Sequence, residues 1–578
     1  MRTAIIVAAV AVTSLAVAAL AAARPAAPRA ATYVVVYEAG VSNADARAAI
    51  RAAGGRLIRE NGKVGVATVS SRNPNFLRDA AADAALYGVA RNRPVGRVVG
   101  KPNLKPRLKL DLIGALRKAP RAKPLRRALR QFGGGPGGAE PLADRQWDMR
   151  MIHATADGSY RFERGHKKVL VGVLDTGVDG NHPDIAENFD RALSRNFTVD
   201  IPVDSKGNEI DGPCADEPDQ SCNDPADVDE NSHGTHVAST IASPINKLGI
   251  AGVAPDVTIV NLRAGQDSGF FFLQASVDAL TYAGDHGIDV VNMSYFIDPW
   301  WMNCSNNPAD SPAEQAEQRA IMAATQRAVD YAHARNVTMI ASEGNEATDL
   351  GHPTTDTISP DFPLDSEKTR TVDNATCKVL PTEANHVMSI SALGPTERKA
   401  DYSNYGLEQT TVSAPGGYFR DDPWHPGLLP TTSPQSRVVG VPNQILAAFP
   451  LNVAEEAHVL NPDGTPNTIS VVRDCAKGTC AYYQWIQGTS MASPHAVGVA
   501  ALIVAKHGQH NPAGITMDPD AVEAILTATA RDHPCPEPRL HTYADKGRGP
   551  AFNALCEGDA EFNGFYGHGI VDALAAVH

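Results

Sequence analysis

The sequence predicts an α/β fold, a doubly wound, mostly parallel sheet, preceded by a small separate α+β unit. Three observations carry this. Apolar runs of strand length at 169–174, 258–262, 289–293 and 337–341 alternate with helical segments through the larger, later part of the chain. Runs like these have no polar face, as parallel strands covered by helices on both sides require. Before them, residues 32–100 read as strand, helix, strand, strand, helix, strand, which is the ferredoxin-like order. Finally, 578 residues are enough for several parts and for a core that needs no staples.

Taken in order, residues 1–23 hold one basic residue, Arg2, then an Ala/Val/Leu/Ile run that closes on Ala21-Ala22-Ala23. This is the pattern of a secretory signal peptide with a small-residue cleavage site. The apolar run is near the length of a membrane anchor, but the small residues at its end, with Pro25 and Pro28 beyond, favour removal. No other segment is apolar enough to span, so a secreted, extracellular protein is expected, with no membrane contact once the signal is removed. In the small unit, 33–38 is strand-like and 43–53 helical. Segments 57–60 and 64–69 flank Asn61-Gly62, a hairpin signal. Residues 76–90 read as the second helix and 96–99 as the last strand. Residues 101–145 are rich in Lys and Arg and then in Gly, a flexible and protease-accessible linker. With a net charge of −13, the basic run reads as solvated linker and nucleic acid is not an expected partner. Residues 146–578 form the main domain.

Three stretches of that domain are long and irregular. Residues 200–230 are acidic and hold Cys214 and Cys222; 300–317 hold Cys304; 420–484 hold Cys475 and Cys480. Eight cysteines behind a signal peptide read as disulfides, and their spacing does not fit zinc. Sequence does not fix the connectivity; nearest-neighbour pairing suggests Cys214 with Cys222, Cys304 with Cys377, Cys475 with Cys480 and Cys535 with Cys556.

Three motifs carry chemistry. The strand-like run at 169–174 ends in Asp175-Thr176-Gly177, which places a carboxylate at the carboxyl end of a buried parallel strand. Asn231-Ser232-His233-Gly234-Thr235-His236 leads into a helical segment. Gly488-Thr489-Ser490-Met491-Ala492-Ser493-Pro494 opens a run that is apolar all round and reads as a buried helix. A hydroxyl is a weak nucleophile unless a base takes its proton, and the base needs an acceptor to orient it. Asp175, His233 and Ser490 supply those parts.

The order Asp, His, Ser with these local contexts resembles the subtilisin-like serine peptidases, the subtilases. The resemblance implies a secreted serine endopeptidase acting on protein or peptide substrates through an acyl-enzyme. It implies that Asp175 orients His233, that His233 is the base and that His236 supports it. Ile340-Ala341-Ser342-Glu343-Gly344-Asn345 is similar to the family's oxyanion-hole segment, with Asn345 as donor and the Ser490 backbone N–H as the second. The family usually has small residues where Ser342-Glu343 stand, so a charge comes close to the site; if Glu343 points toward it, it would raise the pKa of His233, and if it is turned away it would not. Asn292-Met293-Ser294 matches the edge that pairs with substrate, and Ser294, Tyr295, Phe296 and Gly344 are the substrate-binding candidates. Tyr295 and Phe296 stand where the family often has a small residue and a glycine, and Trp300 and Trp301 follow; these aromatics read equally well as apolar subsites or as loop core. Asp184 and Asn246, with the carbonyls of Leu248 and Ile250, match a structural calcium site whose N-terminal ligand is not evident here. The acidic insert offers oxygens for another ion but reads more simply as a solvated charged loop. No organic cofactor is implied. The unit at 32–100 is similar to the family's inhibitory pro-region, so the chain's own N-terminal part is an expected intramolecular partner of a self-processed zymogen. A dedicated maturation peptidase for one exported precursor is the alternative, and an inactive binding protein a remote one.

Overall fold

In the computed structural model the described residues are 30–92, 140–217, 220–421, 440–512 and 514–578. The expected signal peptide, most of the linker and the expected strand at 96–99 lie outside them.

The small unit is a four-stranded antiparallel sheet with two helices. Its elements are β1 (Ala31–Tyr37), α1 (Asn43–Ala52), β2 (Gly55–Asn61), β3 (Val66–Ser71), α2 (Phe76–Ala81) and β4 (Leu86–Asn92), and its strand order is β2-β3-β1-β4. Strand β1 shows why its sequence is apolar throughout. Tyr33, Val35 and Tyr37 face α1 and α2 and form the unit's own core, whereas Val34 and Val36 point the other way, into the core of the main domain. A strand alternates faces with period two, so an unbroken apolar run means that both faces are covered. The sequence reading made the second helix too long. Ala-rich 82–90 has helical propensity, but the central strand β1 needs a partner on its second edge. Pairing from Thr32 with Asn92 to Tyr37 with Leu86 overrides that weak local preference.

The main domain is built on seven strands. In chain order they are β5 (Leu170–Leu174), β6 (Arg195–Asn196), β7 (Thr258–Arg263), β8 (Val290–Met293), β9 (Thr338–Ser342), β10 (Val387–Leu393) and β11 (Val412–Pro415). Their spatial order is β11-β10-β9-β8-β5-β7-β6, and every pair is parallel. The chain winds from β5 to β7 on one side and then returns to β8 on the other. This reversal opens a crevice at the carboxyl ends of the central strands, where doubly wound sheets place their sites. Helices α3 (His233–Ala242), α4 (Leu273–Asp285) and α5 (Pro312–His333) follow β6, β7 and β8. A three-stranded antiparallel sheet, β12 (Ile445–Ala448), β13 (Val471–Ala476) and β14 (Thr479–Ile486), precedes α6 (Thr489–His507). Helix α6 is buried from Thr489 to Ala505 on all sides, which explains its lack of any polar stripe. Among the described residues no helix is long and apolar enough to cross a membrane.

The other face of the small sheet, away from α1 and α2, lies on α4 and α5. Val34, Val36 and Ala90 pack with Ala320, Ile321 and Ala324 of α5. A Cβ at Gly88 would stand 3.1 Å from the Ala320 Cβ, so small residues on both sides set the approach. Polar contacts frame it: Arg59 to Asp278 at 2.6 Å, Asn61 Nδ2 to Asp278 at 2.9 Å, and Arg327 to the Tyr37 carbonyl at 2.7 Å.

All four suggested disulfides are present. The acidic insert differs from its expected solvated form: Asp200, Asp204, Asp224, Asp229 and Glu230 are all buried. The reason is tertiary. Arg263, at the end of β7, is itself fully buried and draws Asp200 and Asp224 inward.

Candidate active site

Strand β5 delivers Asp175 to the crevice. The Asp175 carbonyl accepts from the N–H groups of Ala264 and Gly265, which holds the strand end in place. Its buried carboxylate accepts from Thr176 N–H at 2.8 Å and meets His233 Nδ1 at 2.7 Å, both through Oδ1. His233 is the first residue of α3, and its side chain is 26% exposed while Asp175 is fully buried. Helix and strand end can approach this closely because residue 234 is glycine; a Cβ there would stand 2.1 Å from the Gly177 carbonyl oxygen and 2.9 Å from the Asp175 Cβ. The helix start is held by a residue that sequence reading passed over. Asp229 accepts from the N–H groups of Asn231, Ser232 and Thr235, each at 3.0 Å, and from the Thr235 hydroxyl at 2.6 Å. An acidic residue just before a helical run is an N-terminus signal that could have exposed it.

Burial disfavours the charged form of His233, but the Asp175 carboxylate, with Asp229 behind it, outweighs burial and raises the pKa above its ordinary value. His236 is different. Burial drives it down to about 3, and its Nε2 faces the carbonyls of Ile445 and Gln484. It is a neutral, donating core histidine.

Ser490 is the second residue of α6. Its hydroxyl donates to the Ser294 carbonyl at 3.4 Å, and the Ser294 hydroxyl donates back to the Ser490 carbonyl at 3.2 Å. Ser493 lies 2.8 Å from the same Ser294 hydroxyl and donates to Asn292 at 3.0 Å. The end of β8 is thus laced to the first turn of α6. Asn345, just past β9, accepts from Thr489 N–H at 2.9 Å through Oδ1. A backbone N–H can only donate, so that contact fixes which way the amide points and leaves Nδ2 as its other end. Asn404, also missed from sequence, clamps this turn: it donates to the Glu343 carbonyl and accepts from Glu346 and Thr348 N–H. Gly344 has φ 109°, and a Cβ there would stand 2.3 Å from Asn404 Nδ2, so glycine is required.

His233, Ser490, Asn345, Gly344, Ser294, Tyr295 and Phe296 all border one cleft of about 730 Å³. The model of the subtilase family matches residues 166–569, well over half of the chain. This chain belongs to the subtilase family. The family is one of serine endopeptidases. Subtilisin DY of Bacillus licheniformis is 24% identical over 346 residues, 60% of this chain and 80% of that protein. The nisin leader peptide-processing serine protease NisP of Lactococcus lactis subsp. lactis is 25% identical over 370 residues, 64% of this chain but 45% of that protein. Against the solved structure of an epidermin leader peptide processing serine protease from Staphylococcus aureus, the TM-score is 0.56 at 19% identity, covering 95% of this chain and 98% of that one. That last likeness is one of fold.

In this subtilase the four bulky aromatics divide. Tyr295 stacks on Phe271 with centroids 4.1 Å apart, and with Phe296 and Trp301 it forms a cleft wall. Trp300 is fully buried core. Glu343 corrects an expectation. Its carboxyl is fully buried and accepts from the Thr410 hydroxyl at 2.7 Å, turned from His233 toward Lys399. Burial raises Glu343 well above the carboxylate range and lowers Lys399 to about 7, so each is pushed toward its neutral form.

The four calcium candidates do come together. Asp184 is fully buried; it accepts from Asn246 Nδ2 at 3.1 Å, Ile250 N–H at 3.2 Å and the Tyr483 hydroxyl at 3.0 Å. Asn246 Oδ1 accepts from Leu248 N–H. Beside them lies Glu140, buried, its carboxylate set against the backbone N–H groups of Asn246, Lys247 and Leu248. Burial raises Glu140 to about 7, and the nearby Asp474 adds to the rise. A second buried carboxylate next to Asp184 adds a hard oxygen, of the kind calcium takes, that the sequence did not reveal.

Proposed function

We propose that this subtilase hydrolyses peptide bonds by acyl transfer to Ser490. His233 takes the Ser490 proton and passes it to the leaving amine, and Asp175 holds the His233 tautomer and stabilises its charged form. The observation that carries this is the 2.7 Å contact of His233 Nδ1 with Asp175 beside a cleft that Ser490 also borders. The Asn345 amide and the Ser490 N–H at the start of α6 are the donors for the developing oxyanion. Substrate lies extended along Ser294, adding a strand to the sheet edge. A fluorophosphonate label should attach to Ser490 in the active form; labelling elsewhere, or none, would remove this reading.

Asn345→Ala should lower kcat by roughly 10²–10³ with KM little changed, because a donor aimed at the oxyanion acts mainly in the transition state. Steady-state kinetics decide it, and an unchanged kcat would assign the oxyanion to other donors.

The chain is proposed to be a secreted zymogen that cuts itself between about Gly133 and Gln146. The unit 32–100 is then its inhibitor, seated on α4 and α5. Added in trans, that unit should inhibit the mature form. Gly88→Leu should weaken inhibition by at least about tenfold, equivalent to ~1.4 kcal/mol, because its side chain meets Ala320. Titration with no loss of initial rate would leave the unit an accessory domain. Calcium, where bound, would be held by Glu140, Asp184 and Asn246 with the Leu248 and Ile250 carbonyls, and would supply stability.

A second reading, a peptidase dedicated to one exported precursor, is supported by the aromatic wall of Phe271, Tyr295 and Trp301 and by similarity to NisP. Profiling cleavage of a peptide library separates the two: a dedicated enzyme should cut one narrow sequence class.

A further inference from the structure

The turn that carries Asn345 is held from two sides. On the side of α6, the Thr489 hydroxyl accepts from the Gly344 N–H at 3.0 Å, and the Thr489 N–H donates to Asn345 at 2.9 Å. On the other side runs the loop 399–405. The Asn404 N–H donates to the Gly344 carbonyl at 3.0 Å, the Ala347 N–H to the Tyr402 carbonyl at 2.8 Å, and the Tyr405 N–H to the Thr348 carbonyl at 3.0 Å. To the side-chain bonds of Asn404 already described, a further one to the Glu346 carboxylate is added at 2.6 Å. Asn404 can fix the turn only as well as its own loop is fixed, and that loop belongs to no helix or strand.

What fixes the loop is a lysine. Lys399 is 1% exposed, and its Nζ donates to the Ala400 carbonyl at 3.1 Å and to the Ser403 carbonyl at 2.6 Å. The second of these belongs to the residue just before Asn404, so the side chain folds back on its own loop and closes it. The rings of Tyr405, Phe565 and Tyr543 lie around Nζ, with centroids at 4.8, 5.5 and 5.9 Å, and ring faces favour positive charge. Burial opposes the charge on Lys399, and the carboxylates of Glu343, Asp401 and Asp349 favour it. Glu343 belongs to the turn itself. Lys399 therefore meets the turn twice, through Ser403-Asn404 and through Glu343. Packing alone does not call for a lysine here. An unbranched apolar side chain would fill the same aromatic surroundings without the cost of burying an amine.

We propose that Lys399 is a positioning residue for peptide-bond hydrolysis: it closes the 399–405 loop and so holds Asn404, and with it the Gly344-Asn345 turn, where Asn345 can donate to the oxyanion. The inference rests on the reading of Asn345 as an oxyanion donor. Lys399 does not border the cleft and acts only through the turn. The start of the loop is tied independently, because the Tyr402 hydroxyl donates to the Gly416 and Gly417 carbonyls. Losing the lysine should therefore loosen the Ser403-Asn404 end, which is the end that grips the turn.

The test is a double-mutant comparison by steady-state kinetics. Lys399→Met keeps the bulk and the ring contacts but removes both donated bonds. It should lower kcat by roughly 10- to 100-fold with KM little changed, the scale on which a misplacement of about 1 Å acts. In an Asn345→Ala enzyme, where the donor is already gone, the same substitution should change kcat by no more than about twofold, since two changes that act through one group do not add. A merely structural lysine would cost the same factor in both backgrounds. That result, or an unchanged kcat in Lys399→Met, overturns the inference and leaves the role of Asn345 intact. If Asn345→Ala alone leaves kcat unchanged, the donor assignment fails and this inference falls with it. Should Lys399→Met not fold, Lys399→Gln, which keeps an amide donor in the same space, goes through the same two backgrounds with the same deciding outcomes.

Discussion

Replacing Ser490 with alanine should lower turnover by about 10⁶-fold, the scale on which subtilisin suffers when its nucleophile is removed, and should leave the precursor uncut. The first effect follows from chemistry. Alanine offers no atom to attack the carbonyl, and what remains is the modest rate supplied by the oxyanion donors and binding. The fold should survive, because the interactions that fix the first turn of α6 run through Thr489, Ser493 and the Ser490 backbone. The second effect tests the proposed zymogen. If the same hydroxyl cuts the linker, purified Ser490→Ala should keep residues 32–145 attached, and a trace of active enzyme should release them. Electrophoresis of the purified variant before and after that addition is sufficient. Normal maturation of Ser490→Ala with no protease added would mean that another enzyme cuts the linker, whatever the activity measurement shows.

What was legible in the sequence was what local pattern encodes. The strands carrying Asp175, Ser294 and Asn345 are short apolar runs that end in small or polar residues, and each ends where the run stops. The two histidines were told apart by position, and the structure gives the physical difference: His233 meets a carboxylate, His236 only carbonyls. What was not legible depends on partners far along the chain. Glu343 stands two residues from Asn345, yet its carboxyl goes to Thr410, on another segment. Glu140 becomes a candidate ligand only because the N-terminal segment returns to Asn246 and Asp184. The acidic insert looks solvated by composition and is buried because Arg263 lies beneath it. Strand β4 looks helical because alanine says helix, and only the free edge of β1 says strand.

Asp175→Asn should lower kcat by about 10⁴ and move the acid limb of the pH profile downward. The two effects have separate causes. An asparagine amide can donate to His233 Nδ1, which places the ring proton on Nε2 and turns an N–H toward Ser490, so the base is lost through its tautomer. The limb reports charge. The rate requires neutral His233, so kcat/KM falls as pH drops through its pKa. In the wild type that pKa lies above the ordinary value because Asp175 and Asp229 outweigh burial. Removing the nearer carboxylate leaves burial opposed by Asp229 alone, so protonation should require lower pH. Glu343→Gln should leave the limb in place, since its carboxyl is buried, bonded to Thr410 and pushed toward neutrality. Measuring kcat/KM from about pH 5 to pH 9 for the three forms checks both signs. A limb that stays fixed in Asp175→Asn would mean that Asp175 does not set the charge of His233. A limb that moves in Glu343→Gln would mean that Glu343 is ionised and felt across the turn at Gly344.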